Sequence, residues 1–139
     1  MARGPKTVMV ARRESKLFLA KAGQFLESGG NAAMSGLHDA AMLNAVHAAI
    51  SAADAVTAAL AGIRSADPDH QRVADLLEQV AGESTEIRNH VRQLRDLLAR
   101  KNAVAYESRM TRVREATDGL RRAERLVEWA GQVVERAKL

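Results

Sequence analysis

The chain has 139 residues, of which 47% are hydrophobic, 3% aromatic and 27% charged, with a net charge of +4. This length and balance predict one globular domain with a sizeable core and exclude an intrinsically disordered chain. The charge permits contact with phosphates without requiring it. Because cysteine is absent, disulfides, thiolate metal sites and a cysteine nucleophile are excluded, which fits a cytoplasmic protein.

In chain order, residues 1–7 are predicted to be disordered. A first helix is predicted over residues 8–27, ended by the Ser-Gly-Gly-Asn cluster at residues 28–31. A second helix is predicted over residues 37–63, with Ser35 as its N-cap. Polar side chains interrupt its apolar stretch, so we expect no membrane-spanning segment.

In the second half of the chain, Asp67 and Pro68 predict the start of a third helix that runs to about Ala81. Gly82 separates it from a fourth helix. A last helix is predicted over residues 108–138, where apolar residues recur at alternating three- and four-residue spacing. No alternating apolar and polar run predicts a strand, and short connections favour antiparallel neighbours. The predicted fold is all-α, one antiparallel up-and-down helical bundle of four to five helices over residues 1–139.

The second predicted helix carries three different faces. One is apolar, and another consists of small side chains: Ala41, Ala45, Ala48, Ala52, Ala55 and Ala59. Small residues let another helix approach closely, so we expect burial of both faces, in the bundle or at a dimer interface. The third face is polar: Asn44, His47, Ser51 and Asp54. It either lines a functional cleft, with Asp54 as a base or a partner for a cation, or bonds internally and faces solvent.

A basic segment stands between the fourth helix and the last one and contains Arg100, Lys101, Asn102 and Tyr106. A cation, an amide and a phenol at a helix junction can hold a phosphate or a ribose edge. The alternative is that the cations complement the helix dipole and the tyrosine ring packs locally. No histidine pair has the i, i+4 spacing of a helical metal site and no glycine-rich phosphate loop occurs, so we expect no metal and no cofactor.

The order of three segments resembles the HEPN superfamily, a nucleotide-binding domain of higher eukaryotes and prokaryotes. These segments are the alanine-rich helix at residues 47–55, the turn at 67–70, and residues 97–106 followed by the long last helix. The resemblance implies an all-α bundle that commonly forms homodimers. In the ribonuclease members it implies a metal-independent site in a cleft at the dimer interface, where an arginine is followed a few residues later by a histidine.

In this sequence Lys101 stands at the arginine position and Tyr106 at the histidine position, with Asn102 directly after the lysine. Lysine lacks the bidentate fork with which arginine grips a phosphate, and a phenol is a poor general base near neutral pH. The resemblance therefore implies a bacterial member with a degenerate motif. Arg64 and His70 also have a matching spacing, but they straddle the predicted start of the third helix, so we interpret this match as chance.

Three functions are predicted. The leading one is a non-catalytic, dimerising HEPN-like module that binds a nucleotide, an RNA or a partner protein through a basic polar cleft. Its ligand-binding residues are Lys101, Asn102, Tyr106, Arg100, Asp54 and His47. The second is a metal-independent ribonuclease, the toxin of a toxin–antitoxin pair, in which His47 or His70 supplies the missing imidazole beside Lys101 and Tyr106. The third is a helical adaptor whose alanine face binds a partner helix.

Overall fold

The computed structural model describes residues 4–139. In this part of the chain, five helices and two short strands follow one another: β1 (Thr7–Met9), α1 (Ser15–Met34), α2 (His38–Ala61), β2 (Ile63–Ser65), α3 (Gln71–Ala81), α4 (Thr85–Tyr106) and α5 (Val113–Ala137). A single 3-10 turn (Arg12–Glu14) precedes α1. The predicted all-α helical bundle is confirmed, and the two strands form only a small antiparallel ribbon at one end of it.

The helix α2 lies at the centre of the bundle and packs against the four other helices. Its alanine face is covered by them, because each of its six alanines is at most 2% exposed. The predicted burial of the alanine face is therefore confirmed within one chain. The other apolar face is buried at Val46, Ala53 and Val56 but exposed at Leu60. By length and composition α2 could cross a membrane, but 67% of its most apolar window is buried inside the fold, as in the core helix of a soluble protein.

The first helix does not end at the glycine cluster at residues 28–31. It continues to Met34, and the buried Gly29 lies where α1 meets both α2 and α5. A Cβ atom on Gly29 would lie 2.7 Å from Cδ2 of Leu120 and 3.1 Å from Cβ of Asn44. The prediction that this cluster ends the helix was wrong, because Gly29 permits close helix packing instead.

The boundary between α1 and α2 also differs from the prediction. Ser35 follows the last residue of α1, where its backbone N–H donates to carbonyls of the preceding turn. It is therefore a C-cap and not the N-cap of α2. Leu37 occupies that N-cap position and provides no side-chain hydrogen bond. Gly62 ends α2 in the left-handed conformation, with φ +65°, and turns the chain into β2.

The sequence predicted no strands, and this prediction was wrong for two short segments, one before α1 and one after α2. Val8 pairs with Arg64 at the middle of the β1–β2 ribbon. The backbone N–H of Lys6 donates to Asp67, and its carbonyl accepts from Ala66, so the predicted disorder does not extend through Lys6 and Thr7. Residues 1–3 lie outside the described residues. Strands of three residues are too short for an alternating pattern to identify them.

The third helix begins at Gln71 rather than at Pro68. The side chains of Asp67 and Asp69 accept from the backbone N–H groups two residues later, at 3.0 Å each, and so form a turn before the helix. The side-chain oxygen of Ser84 accepts a hydrogen bond from the backbone N–H of Ile87, so Ser84 is the N-cap of α4. Because α4 continues to residue 106 and α5 begins only at residue 113, the basic segment lies on the last turns of a helix and not at a junction.

Candidate functional site

Lys101, on the last turns of α4, contacts a histidine from another part of the chain. Its Nζ lies 2.7 Å from Nε2 of His70, the residue directly before α3. An ammonium group can only donate, so Nε2 of His70 accepts and the proton of the neutral ring is assigned to Nδ1. The contact arises because α3 and α4 pack as neighbours, with the start of α3 beside the later turns of α4.

His47, on the polar face of α2, completes a group that we name the basic cluster: His47, His70 and Lys101. Burial lowers the pKa of His47, and the charges of Lys101 and His70 lower it further. Burial and Lys101 also lower the pKa of His70, against a smaller opposing effect of Asp69. Both imidazoles are therefore neutral near pH 7 in the free protein, beside one permanent cation.

The basic cluster is suited to an anion rather than to a metal ion. The ammonium of Lys101 is a point charge with three donors, and it would repel a cation placed between the two rings. An anion would favour the protonated imidazoles and so add up to two further charged donors. Among residues 4–139, no group of three or more histidine, cysteine, aspartate or glutamate side chains is arranged to hold a metal ion.

Asp54 lies further along the same face of α2, but it belongs to a different group of charges. Burial raises the pKa of its carboxyl to about 7, although Arg64, Lys21 and a backbone hydrogen bond from Ser65 favour the ionised form. The Arg64 guanidinium also donates to the carbonyl of Ser65 at 3.1 Å. Arg64 thus lies near Asp54, whereas His70 contacts Lys101, so the matching Arg–His spacing does not form one site.

The other predicted ligand-binding residues of α4 point away from this cluster. Nη2 of Arg100 lies 3.3 Å from Asp118 of α5. Asn102 and Tyr106 are four residues apart on one exposed face of α4, and Tyr106 is 85% exposed. Of the six predicted residues, Lys101 contacts His70, and His47 lies close enough for the charges of both to lower its pKa.

In the sequence, His70 was considered as a substitute imidazole and as the histidine of a chance match with Arg64, and its direct contact with Lys101 was not predicted. A signal was present, because an antiparallel pair of helices joined at Gly82 places the start of α3 beside the second half of α4. The hydrogen bond from Gln71 Nε2 to the carbonyl of Arg95, 3.3 Å long, shows this alignment. The turn before α3 then carries His70 further along α4 as far as Lys101.

The match of the chain to a known protein family spans both the helical bundle and the basic cluster. The chain matches the family model of the HEPN domain over residues 15–135, which include all of the basic cluster and nearly all of the five helices. No curated protein matches the chain. Because the match spans most of the chain, and because the fold is the all-α bundle of that family, the chain belongs to the HEPN domain family, which is generally associated with nucleotides and RNA.

Proposed function

We propose that the protein binds a phosphate group of an RNA or a nucleotide at the basic cluster, without cleaving it. The observation that carries this proposal is the 2.7 Å contact between Lys101 and His70, with His47 close enough for the Lys101 charge to lower its pKa. Membership of the HEPN domain family supports the ligand class, and the cluster supplies the donors.

Electrostatics favour an anion at this place. In the free protein burial disfavours protonation of both neighbouring rings, and the ammonium of Lys101 disfavours it further. A phosphate in contact with the cluster would offset that repulsion and raise the pKa values of His47 and His70. Binding is then coupled to proton uptake. The logarithm of the binding constant should also fall with the logarithm of the salt concentration, by a slope of about 0.7 for each contacted phosphate of a single strand.

Fluorescence anisotropy with a short labelled single-stranded RNA tests the proposal. Lys101→Ala is expected to weaken binding about tenfold and to reduce the salt slope by about one phosphate contact. Arg121→Ala is the matched control, because it removes one positive charge from an exposed position of α5. Equal losses of RNA affinity in the two variants would show that binding depends only on net charge, and this would contradict a specific site at Lys101.

A metal-independent ribonuclease is the second candidate function, and the pair of imidazoles beside one cation favours it. One neutral imidazole would take the proton of a ribose 2′-hydroxyl as that oxygen attacks phosphorus. The other, in its protonated form, would give a proton to the departing 5′-oxygen, and Lys101 would stabilise the charge on the phosphate. The products would be a 2′,3′-cyclic phosphate and a 5′-hydroxyl.

Incubation of RNA with the protein and a metal chelator distinguishes cleavage from binding alone. Cleavage that is lost in both His47→Ala and His70→Ala would support the ribonuclease, and toxicity in cells that depends on His70 would then support the toxin role. Cleavage that persists in both variants would exclude this mechanism. Intact RNA throughout, with binding dependent on Lys101, is the outcome expected from the leading proposal.

Assembly is a separate part of the proposal. We retain the homodimer that the resemblance implies, and we expect light scattering to give twice the 15.1 kDa mass of one chain. An adaptor that uses the alanine face is not proposed. Ala48, at the middle of that face, has no exposed surface because the chain's own helices cover it.

A further inference from the structure

A surface groove between α1 and α2 adjoins the basic cluster. It has a volume of about 380 Å³ and is lined by Lys21, Gln24, Phe25, Ser28 and Asn44. The Phe25 ring lies both in the wall of this groove and against His47, with ring centroids 5.3 Å apart and an angle of 30° between the planes. A ligand whose phosphate contacts the basic cluster therefore has its neighbouring groups within reach of the groove.

The lining of the groove combines two amide side chains with an aromatic ring, which are the kinds of group that proteins use to recognise a nucleobase. Nδ2 of Asn44 donates to the carbonyl of Ala40 at 2.9 Å, which holds the amide plane in one orientation. Its Oδ1 and its second N–H then remain as an adjacent acceptor and donor, the pattern with which amide side chains pair with base edges. Gln24 supplies a second amide, and Phe25 supplies an aromatic ring on which a base can stack.

We propose that this groove binds the base of the nucleotide whose phosphate occupies the basic cluster. The inference rests on the proposed function and extends it to a ligand class, unpaired RNA, because the edge and face of a paired base are not accessible to such a groove. The volume of the groove lies within the range of small-ligand pockets and accommodates one nucleotide base.

Anisotropy with two ligands of equal phosphate number tests the inference: a short single-stranded RNA and an abasic ribose-phosphate oligomer of the same length. The RNA is expected to bind about tenfold more tightly than the abasic oligomer, as one stacked and hydrogen-bonded base contributes. Gln24→Ala combined with Asn44→Ala is expected to reduce this difference, because only stacking on Phe25 remains, while leaving the affinity for the abasic oligomer unchanged. Gln132→Ala, at an exposed position of α5, is the matched control and should preserve the difference.

The outcomes separate this inference from the proposed function. Equal affinity for the two ligands, with both still dependent on Lys101, would overturn the base groove and leave the phosphate site intact. Equal binding of the abasic oligomer by the wild type and by Lys101→Ala would overturn the phosphate site itself. A preference for RNA that is undiminished in the Gln24 and Asn44 double variant would show that the amides of this groove do not recognise the base, and it would also overturn the inference.

Discussion

Replacement of Gly29 by alanine is expected to destabilise the protein, although alanine is the better helix former. The new Cβ would lie 2.7 Å from Leu120 Cδ2, 3.1 Å from Asn44 Cβ and 3.4 Å from the carbonyl oxygen of Ala41. The leucine methyl is the end of a flexible side chain and can rotate away. The other two atoms belong to or adjoin the backbone of α2, so α1 would have to move away from its closest neighbour.

The magnitude follows from two opposing effects. Overpacking of a well-packed interface lowers the free energy of unfolding by about 1–3 kcal/mol. The greater helix propensity of alanine raises it by about 0.5–1 kcal/mol. The net expectation is a loss of roughly 0.5–2 kcal/mol, since the contact with Asn44 Cβ leaves little room for relaxation.

Two glycines of the same helix provide matched controls. A Cβ atom on Gly23 or on Gly30 would have nothing within 4 Å, so Gly23→Ala and Gly30→Ala should each stabilise the protein by about 0.5–1 kcal/mol. Urea unfolding followed by far-ultraviolet circular dichroism measures all three changes, provided that the m-values agree. If Gly29→Ala stabilised the protein as much as Gly23→Ala, the close packing of α1 at Gly29 would be refuted.

The remaining predictions concern the buried carboxyl, the alanine face and the basic cluster. Burial raises the pKa of Asp54 from 3.8 to about 7, so the folded protein holds this proton more tightly than the unfolded chain does. The free energy of unfolding that this tighter proton binding contributes is fully present below pH 3.8 and is lost as the pH rises through about 7. Asp54→Asn should therefore exceed the wild type in stability by roughly 2–4 kcal/mol above pH 7 and equal it near pH 4 in thermal melts. Ala48→Leu should lower the free energy of unfolding in urea by about 1–3 kcal/mol, because the site is fully enclosed. The affinity for RNA should rise as the pH falls far enough to protonate His47 and His70, because protonation adds charged donors to the basic cluster, and this rise should be absent when both are alanine.

Each of these expectations has a contrary result. A constant stability difference between Asp54→Asn and the wild type from acid to alkaline pH would show that the carboxyl does not titrate differently on folding. An Ala48→Leu protein of normal stability but altered mass would make the alanine face an interface between chains. An affinity for RNA that does not change with pH would show that protonation of the two imidazoles does not contribute to binding.

Much of the fold was accessible from the sequence because the relevant signals are local. The spacing of apolar residues in α5 and the small residues of α2 predict helices and their buried faces directly. The role of Gly29 was not accessible, since a glycine that ends a helix and one that admits a neighbouring helix look alike until the neighbour is known. The pairing of β1 with β2 joins segments far apart in the chain and has no local pattern.

The residues of the candidate site were accessible from the sequence only in part. His47 was identified from its place on the polar face of the second helix, and Lys101 from the basic segment and from the resemblance. Tyr106 was grouped with Lys101 because the segment was expected to lie at a helix junction and because the two residues stand at the two positions of the family motif. In the structure the helix continues, and residues five positions apart lie about 140° apart around its axis. The contact of Lys101 with His70 depends on the length and shape of the turn before α3, which no periodicity encodes.

The most direct test of the phosphate site is an NMR titration of the histidine ring protons with and without the single-stranded RNA. In the free protein the pKa values of His47 and His70 should lie below the usual value of about 6.5, and saturating RNA should raise both. His90, which stacks on Trp129 at a centroid distance of 4.4 Å, is the internal control and should not respond. A common rise of the two pKa values on RNA binding is the predicted result. Bound RNA that leaves both values unchanged would contradict a phosphate at the basic cluster.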